Sequence, residues 1–218
     1  MISSFSTLKP CRLGCMFTPY KIGILPGVKR IYLREALTRL MVVRVLRLGH
    51  RPDRDKRVTT HLILAARAFG AVGTVYAGKR DLTLEETVRD VVDDWGGDFS
   101  LEYSDSWRGV IREAGSRGSV IHLSMYGLPI QDVIDSIRDD PLDKLVVVGG
   151  AKVPGEVYRI VDWNVAVTSQ PHSEVSALAV FLHELFEGSE LDASFKGAKL
   201  RVRPQARGKL VEEVRDGV

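Results

Sequence analysis

The stretch Leu142–Tyr158 reads LDKLVVVGGAKVPGEVY: an apolar run, two glycines, a short polar loop and the start of a helix. A run such as LVVV is typical of a strand buried in a parallel sheet. Glycines that follow a strand allow the backbone to approach something closely. The stretch therefore predicts a strand that ends at a close contact with a nucleotide phosphate, another part of the chain or a different ligand.

The rest of the chain extends this pattern. From Val42 onward, short β-rich runs alternate with amphipathic segments of helical length. This alternation predicts an α/β fold with a mostly parallel sheet and helices on both faces. Thr83 followed by Glu86 predicts a capping box for the second helix. Strands are predicted at 42–48, 72–77, 98–101, 119–123, 144–148 and 164–168, and helices at 58–69, 84–95, 106–114, 129–138, 154–159 and 173–186.

The pattern divides the chain into a leader (1–40), one domain (41–188) and a basic extension (189–218). The leader has no sustained hydrophobic period, and its basic residues interrupt any signal-peptide core. We expect translation to start at Met41, with an RNA-contacting arm as the alternative reading of the leader. In the extension, glycine and proline separate two alternating stretches, which predicts a hairpin or an extended tail.

The positive charge of the chain is concentrated at its ends. Residues 1–40 contain seven Lys/Arg and one Glu, a net charge of +6, and because the whole chain carries +3, the remainder carries −3. The basic pI therefore does not by itself indicate nucleic-acid binding by the domain. Two basic segments remain candidates for such binding, at 44–57 and 196–218.

Composition also excludes several classes of protein. Both cysteines, Cys11 and Cys15, lie in the leader, so the domain has neither a disulfide framework nor a cysteine nucleophile. The five histidines are scattered singly, and we expect no metal site. No apolar run approaches the roughly 20 residues that cross a bilayer, so no membrane span is expected.

The segment GGAKVPGE, residues 149–156, matches neither a phosphate loop nor a dinucleotide fingerprint. Taken alone it is a tight turn with Lys152 exposed. However, three predicted strands end in polar loops, at 123–127, 149–153 and 167–174. Ligands of open parallel sheets bind at the carboxyl ends of the strands. These loops are therefore predicted to converge on one ligand.

A further candidate lies in LGHRPDRDKRVTTHLILAARAFGA, residues 48–71. Arg67 lies among alanines near the end of the predicted helix. It is either an exposed helix residue or a guanidinium at the boundary of a site, where it would suit a phosphate or a polarised oxygen.

Six stretches follow one another along the chain: RLGHRPDRDKRVTTH, ARAFGA, HLSMYG, VVVGGAKVPGEVY, NVAVTSQPHSEVSALAVFLHEL and FKGAKLRVRPQARGK. In this order they resemble the archaeal tRNA cytidine-56 2′-O-methyltransferases of the SPOUT class. The resemblance covers 42–214 and none of the leader, and Ser169 stands where the family has Asn. It implies an α/β SPOUT-type parallel sheet with a C-terminal deep trefoil knot, a topology that periodicity cannot reveal. It also implies a cytoplasmic homodimer that acts on tRNA.

The resemblance further implies S-adenosylmethionine as the cofactor. The family's cofactor positions fall on Leu123, on Gly149, Gly150, Ala151, Lys152 and Val153, and on Val167, Thr168, Ser169, Gln170, Pro171, His172, Ser173 and Glu174.

The resemblance also suggests residues for catalysis. Related SPOUT enzymes carry an Asn and an Arg six residues apart, and His61 and Arg67 have this spacing here. Arg67 is expected to orient the hydroxyl or a phosphate, because a free guanidinium is a poor base. His61 is either a second orienting residue or a packed helix residue. Ser173 either meets the substrate or caps the last helix.

For RNA, a flexible phosphate-contacting stretch is expected at Arg51, Arg54, Lys56 and Arg57, and a second at Arg201, Arg203, Arg207 and Lys209. The alternatives are a SPOUT enzyme that acts on another RNA nucleotide or base, and a noncatalytic RNA-binding protein.

Overall fold

The computed structural model describes residues 41–150 and 152–214, so the predictions about the leader lie outside the described residues. Strands and helices alternate along the chain. In order they are β1 (Val43–His50), α1 (Pro52–Ala68), β2 (Gly73–Gly78), α2 (Leu82–Trp95), β3 (Ser100–Ser104), α3 (Trp107–Arg117), β4 (Gly118–Pro129), α4 (Ile130–Asp139), β5 (Asp143–Val148), α5 (Val157–Ile160), β6 (Trp163–Ala166) and α6 (Glu174–Phe186). A 3₁₀ turn (Ser189–Asp192) and a hairpin of β7 (Leu200–Arg203) and β8 (Leu210–Glu213) follow.

The first six strands form one sheet in the order β3-β2-β1-β5-β4-β6. Every pairing within it is parallel, as the alternation predicted. β7 and β8 pair antiparallel, so the extension forms a hairpin. Because β1 and β5 lie at the centre of the sheet, both of their faces are covered, which explains their nearly continuous apolar sequences.

Helices cover both faces of the sheet. α1, α4 and α6 pack on one face, around a core that contains Val45, Ile121 and Phe181. α2 joins this face through Leu84 and Val88, which pack with Tyr76. α3 and α5 cover the other face. The predicted arrangement of a parallel sheet between two helical layers is confirmed.

The mixed-charge run at 51–57 differs from its expected structure. We predicted a flexible stretch before a helix at 58, but α1 already begins at Pro52. Proline suits the first helical position because its φ is fixed and it has no N–H to leave unpaired. Asp53 and Asp55 in the first turn also interact favourably with the positive end of the helix dipole.

The predicted capping box of the second helix is also wrong. α2 begins at Leu82, and its cap is Asp81, whose carboxylate accepts from the Leu84 backbone N–H at 3.0 Å. The Asp81 N–H donates in turn to the Tyr76 hydroxyl at 3.0 Å. This contact with β2 fixes the start of the helix two positions before Thr83.

Between β4 and β6 the pairing is interrupted. Leu123 and Leu128 both align with Val165, so the chain leaves the sheet after Leu123 and returns at Leu128. At Gly127 the backbone lies against β6: a Cβ there would be 2.5 Å from Asn164 C and from Val165 N. Only glycine allows this approach.

Candidate active site at the carboxyl edge of the sheet

A cavity of about 340 Å³ lies at the carboxyl edge of the sheet. The loop at 123–127, which interrupts β4, and the loops that follow β5 and β6 all contribute to its walls, so the three predicted loops do converge around one cavity. Its volume lies within the usual range for small-molecule sites. The cavity is lined by His122, Leu123, Ser124, Met125, Tyr126, Val148, Gly149, Gly150, Val153, Tyr158, Val167, Pro171, His172, Glu174 and Ala177.

The residues expected to bind a cofactor divide into two groups. Those that line the cavity are Leu123, Gly149, Gly150, Val153, Val167, Pro171, His172 and Glu174. Lys152, Thr168, Ser169, Gln170 and Ser173 belong to the same loops but do not line it. Ala151 lies outside the described residues.

A larger cavity, of about 450 Å³, lies on the face of the sheet that α3 covers. Most of its charged residues are paired: Arg44 with Glu102, Arg117 with Glu113, and Lys144 with Asp140, while Asp143 accepts from the Val42 N–H at 3.1 Å. The smaller cavity, in contrast, has polar groups in or behind its walls that have no partner among residues 41–150 and 152–214. We therefore place the candidate site in the smaller cavity.

Arg47, near the end of β1, lies behind the wall of this cavity. It is only 2% exposed, and one guanidinium nitrogen lies 3.2 Å from Glu174 Oε1. Its Nε and Nη1 have no partner within the part of the chain that the structure describes. Burial lowers the pKa of Arg47, and the nearby Glu174 carboxylate opposes this effect. The sequence analysis missed Arg47, although an arginine inside an apolar central strand was a signal that could have found it.

His122 on β4 is the second residue that the sequence analysis missed. It is completely buried, and its Nδ1 lies 2.9 Å from Asn164 Oδ1. Its Nε2 has no partner among the described residues. Burial lowers the pKa of His122 below its usual value, and the bond to Asn164 opposes this shift. A lone histidine in an apolar strand gave no clear signal in the sequence.

The structure does not bring Arg67 to the cavity. It lies in the last turn of α1 and donates to the carbonyls of Trp95 and Gly96, at 3.0 and 2.6 Å. Its guanidinium also lies 4.3 Å from the centre of the Phe195 ring. Because α1 starts at the carboxyl edge and runs back across the sheet, its last turn lies at the opposite, amino edge. In this chain Arg67 links the end of α1 to the end of α2 through these two carbonyls.

The other two expected catalytic residues also lie away from the cavity lining. His61 is exposed in the middle of α1. Ser173 is the N-cap of α6, and its hydroxyl accepts from the Val175 N–H at 3.2 Å. The capping interpretation of Ser173 is therefore confirmed.

The two basic segments lie at opposite edges of the sheet. Arg51, at the start of α1 near the cavity, pairs with Asp55 at 2.7 Å. The hairpin is anchored at the amino edge, where the Lys199 N–H donates to Asp94 O at 2.9 Å. Exposed basic side chains are Arg54, Lys56 and Arg57 at the carboxyl edge, and Arg201, Arg203, Arg207 and Lys209 on the hairpin.

Two buried histidines make stability depend on pH. His50 and His122 are both completely buried, and burial lowers the pKa of each. In the unfolded chain each binds a proton below about pH 6.5, whereas in the folded chain each remains neutral to a lower pH. We expect the free energy of unfolding to fall between pH 7 and 5, by up to about 1.4 kcal/mol per pH unit for each histidine.

Urea unfolding at several pH values measures this slope. The His61→Gln variant, which loses an exposed histidine, should show the wild-type slope. A free energy of unfolding that is constant from pH 7 to 5 would contradict the assignment.

Two searches of residues 41–150 and 152–214 gave negative results. None of the helices there combines the length and the apolar composition that are needed to cross a bilayer. The same residues contain no group of three or more His, Cys, Asp or Glu side chains placed to hold a metal ion.

Known structures share this fold. The TrmH/SpoU tRNA modifying enzyme of A. aeolicus superposes with a TM-score of 0.51 at 14% identity, over 75% of this chain and 84% of that one. An AdoMet-bound rRNA methyltransferase from Sinorhizobium meliloti superposes with a TM-score of 0.52 at 16% identity, over 70% and 60% of the two chains. The fold is therefore that of the SpoU/TrmH class of RNA-modifying methyltransferases.

Sequence relatives define the family more closely. The tRNA (cytidine(56)-2′-O)-methyltransferase of Methanothermobacter thermautotrophicus is 57% identical over 178 residues, which cover 81% of this chain and 99% of that protein. The Pyrococcus abyssi protein of the same name is 55% identical over 78% of this chain and 87% of its own length. The model of the family described as tRNA ribose 2′-O-methyltransferase, aTrm56, matches residues 95–212. This chain belongs to the aTrm56 family.

Proposed function

We propose that this protein transfers the methyl group of S-adenosylmethionine to the 2′-oxygen of cytidine 56 in tRNA. The observation that carries the proposal is the 57% identity to a tRNA (cytidine(56)-2′-O)-methyltransferase over nearly the whole length of that relative. The cavity at the carboxyl edge supports it, because three loops surround a space of suitable size for a small cofactor.

The residues of the cavity fit such a cofactor. Gly149 and Gly150 line the cavity; the Val153 side chain packs against Gly149, where a Cβ would lie 2.2 Å from Val153 Cγ2. The Glu174 carboxylate offers a partner for a cationic group. The unpartnered Nε2 of His122 offers an acceptor. The other cofactor contacts proposed from the resemblance lie in the same loops, at Lys152, Thr168, Ser169, Gln170 and Ser173. When bound, S-adenosylmethionine supplies an electrophilic methyl group on a sulfonium.

The protein must then hold a ribose in line with that methyl group. In that position the 2′-oxygen could bond to the methyl carbon as the carbon–sulfur bond broke, and the 2′-hydroxyl proton would pass to solvent or to a phosphate. Positioning supplies much of the catalysis in such a displacement. Because displacement at a sulfonium methyl needs no Lewis acid, we propose a reaction without a metal ion.

The catalytic role of Arg67 depends on a second protomer. Arg67 and the cavity lie at opposite edges of one sheet, so only a partner could bring the two together. We propose a homodimer in which Arg67 of one protomer orients the ribose or an adjacent phosphate at the other protomer's cavity. His61 and Ser173 remain proposed auxiliary residues in this arrangement.

We also propose a trefoil knot in the chain and a cytoplasmic location. The knot is supported by the close passage of the loop at Gly127 over β6, and by the two alignments of β4 with Val165 on either side of that loop. The cytoplasmic location is supported by the nature of the tRNA substrate.

The substrate would be held by both basic segments. The basic residues on α1 lie at the same edge of the sheet as the cavity, whereas the hairpin lies at the opposite edge. In a homodimer the hairpin of one protomer could therefore serve the cavity of the other. Lysine and arginine contacts to phosphates are not specific for sequence, so they would position the tRNA without selecting the nucleotide.

The test is methyl transfer from labelled donor to an unmodified tRNA transcript, followed by mapping of the modified nucleotide. The matched control is a transcript with 2′-deoxycytidine at position 56, which lacks only the acceptor hydroxyl. Label at cytidine 56 in the first transcript and none in the second is the expected result. Label on another nucleotide or on a base would contradict the proposed substrate, and absence of cofactor binding would indicate a noncatalytic RNA-binding protein.

A further inference from the structure

The hydrogen bonds around His122 determine which of its ring nitrogens carries a proton. The Asn164 side chain donates through Nδ2 to the Tyr158 carbonyl at 2.8 Å. Its Oδ1 is therefore the atom that faces His122 Nδ1, at 2.9 Å. Because an amide oxygen only accepts, Nδ1 must carry the hydrogen of this bond.

The same arrangement leaves Nε2 as an acceptor. Burial favours the neutral imidazole, and with the proton on Nδ1 the lone pair lies on Nε2. This atom is shielded from solvent and has no partner among the described residues. Buried polar atoms in proteins nearly always have a partner, so an acceptor in this state indicates a donor that the protein itself does not supply.

The ring is also held in place. It packs edge-on against Tyr158, with ring centres 4.7 Å apart and an interplanar angle of 86°. The Ser124 hydroxyl donates to the Tyr158 hydroxyl at 3.3 Å, and both of these residues line the same cavity as His122. The imidazole therefore cannot turn toward another protein group without breaking its contacts to both Asn164 and Tyr158.

We propose that His122 Nε2 accepts a hydrogen bond from the adenosyl half of the cofactor and so contributes to recognition of that half. This inference rests on the proposed function. The donor is the exocyclic amine or a ribose hydroxyl. Both are neutral donors, which suits a neutral imidazole. The cationic ammonium of the methionine half is better matched by the Glu174 carboxylate, whose side chain is partly exposed and lines the cavity.

Calorimetric titration with S-adenosylhomocysteine tests the proposal. His122→Phe keeps an aromatic ring against Tyr158 but removes the acceptor, and we expect it to weaken binding roughly tenfold or more. His183→Gln, which removes a histidine that does not line the cavity, is the matched control and should bind as the wild type does.

Three ligand analogues identify the donor. They carry inosine in place of adenosine, or lack the 2′- or the 3′-hydroxyl. For the analogue that lacks the true donor, the affinities of the wild type and of His122→Phe should become equal, whereas the other analogues should keep the full difference. Equal affinities of the two proteins for S-adenosylhomocysteine, or a difference that no analogue removes, would overturn the proposal.

A second variant tests the tautomer. In Asn164→Asp a carboxylate faces Nδ1, which favours the doubly protonated ring and turns Nε2 into a donor. Its affinity for S-adenosylhomocysteine should decrease as the pH falls from 8 to 6, more steeply than that of the wild type. The other titratable groups of the cavity, Tyr126, Tyr158, His172 and Glu174, are the same in both proteins, so they cannot produce the difference. Identical pH profiles would contradict the tautomer assignment.

Nitrogen-15 NMR of the wild type gives a readout that does not depend on the folding of any variant. The His122 ring should show a protonated Nδ1 and an unprotonated Nε2, and the Nε2 signal should shift when S-adenosylhomocysteine is added. A protonated Nε2 would overturn the proposal. If the wild type bound the ligand and only the His122 signals stayed unchanged, this inference alone would fail; if the wild type did not bind, the proposed cofactor would fail with it.

Discussion

Gly127→Ala is expected to reduce affinity for S-adenosylhomocysteine at least tenfold and to lower the free energy of unfolding by about 1–3 kcal/mol. The added Cβ would lie 2.5 Å from Asn164 C and Val165 N, which are backbone atoms of β6. The loop at Gly127 and strand β6 cannot accommodate this Cβ unless one of them moves. Because Met125 and Tyr126 precede this glycine and line the cavity, the displaced loop would distort the cavity wall.

Calorimetric titration and urea unfolding measure the two effects of Gly127→Ala. Gly155→Ala is the matched control, since Gly155 lies in the loop after β5, has no positive φ and would place its Cβ in open space. It should leave both quantities close to those of the wild type. Wild-type affinity in Gly127→Ala would show that the loop after Leu123 does not shape the ligand site.

Arg47→Met is expected to lower the free energy of unfolding by about 1 kcal/mol, less than the loss from a fully buried pair because the Glu174 carboxylate that remains is partly exposed. The guanidinium is 2% exposed, and removal of its charge leaves the Glu174 carboxylate without its buried partner. Glu174 is the first residue of α6 and lines the cavity, so its release should also weaken cofactor binding. The unfolding midpoint in urea and the calorimetric affinity report the two effects separately.

Two further variants make the Arg47 result interpretable. Arg51→Met removes an exposed arginine that pairs with Asp55, and it should change stability little, because exposed ion pairs contribute little. The double variant Arg47→Met/Glu174→Gln removes both charges and should regain part of the lost stability. The double variant could instead be less stable than Arg47→Met by the whole amount that an independent loss of the Glu174 charge would cost. That result would show that the two residues do not act as a pair.

Features that depend on neighbouring residues along the chain were predicted correctly, whereas features that depend on contacts between distant residues were not. The periodicity of VVRVLRL and LVVV predicted strands that the structure places at the centre of a parallel sheet. Parallel strands share one carboxyl edge, so the meeting of the three loops followed from the same pattern. The start of α2 was missed because the cap at Asp81 depends on a contact with Tyr76 that no local pattern contains.

The candidate site was predicted only in part, because it also depends on contacts between residues that are distant along the chain. Eight of the proposed cofactor residues line one cavity; within this chain the arginine beside it is Arg47, whereas Arg67 lies at the opposite edge of the sheet. Spacing along a helix indicates which residues share a face. It does not indicate the end of the sheet at which a residue lies, which depends on where the helix begins and on its direction across the sheet.

The sequence by itself determined the alternation of strands and helices, the edge at which the loops gather and the family to which the chain belongs. These depend on side-chain periodicity and on residues that follow strands directly, and both are local properties of a chain. Only the tertiary structure decided that Arg47 and His122 lie buried beside the cavity with unpartnered nitrogens, and that Arg67 lies at the far edge. A hydrogen-bond partner is defined by distance in space, and residues such as His122 and Asn164 come together only when β4 and β6 pair in the folded sheet.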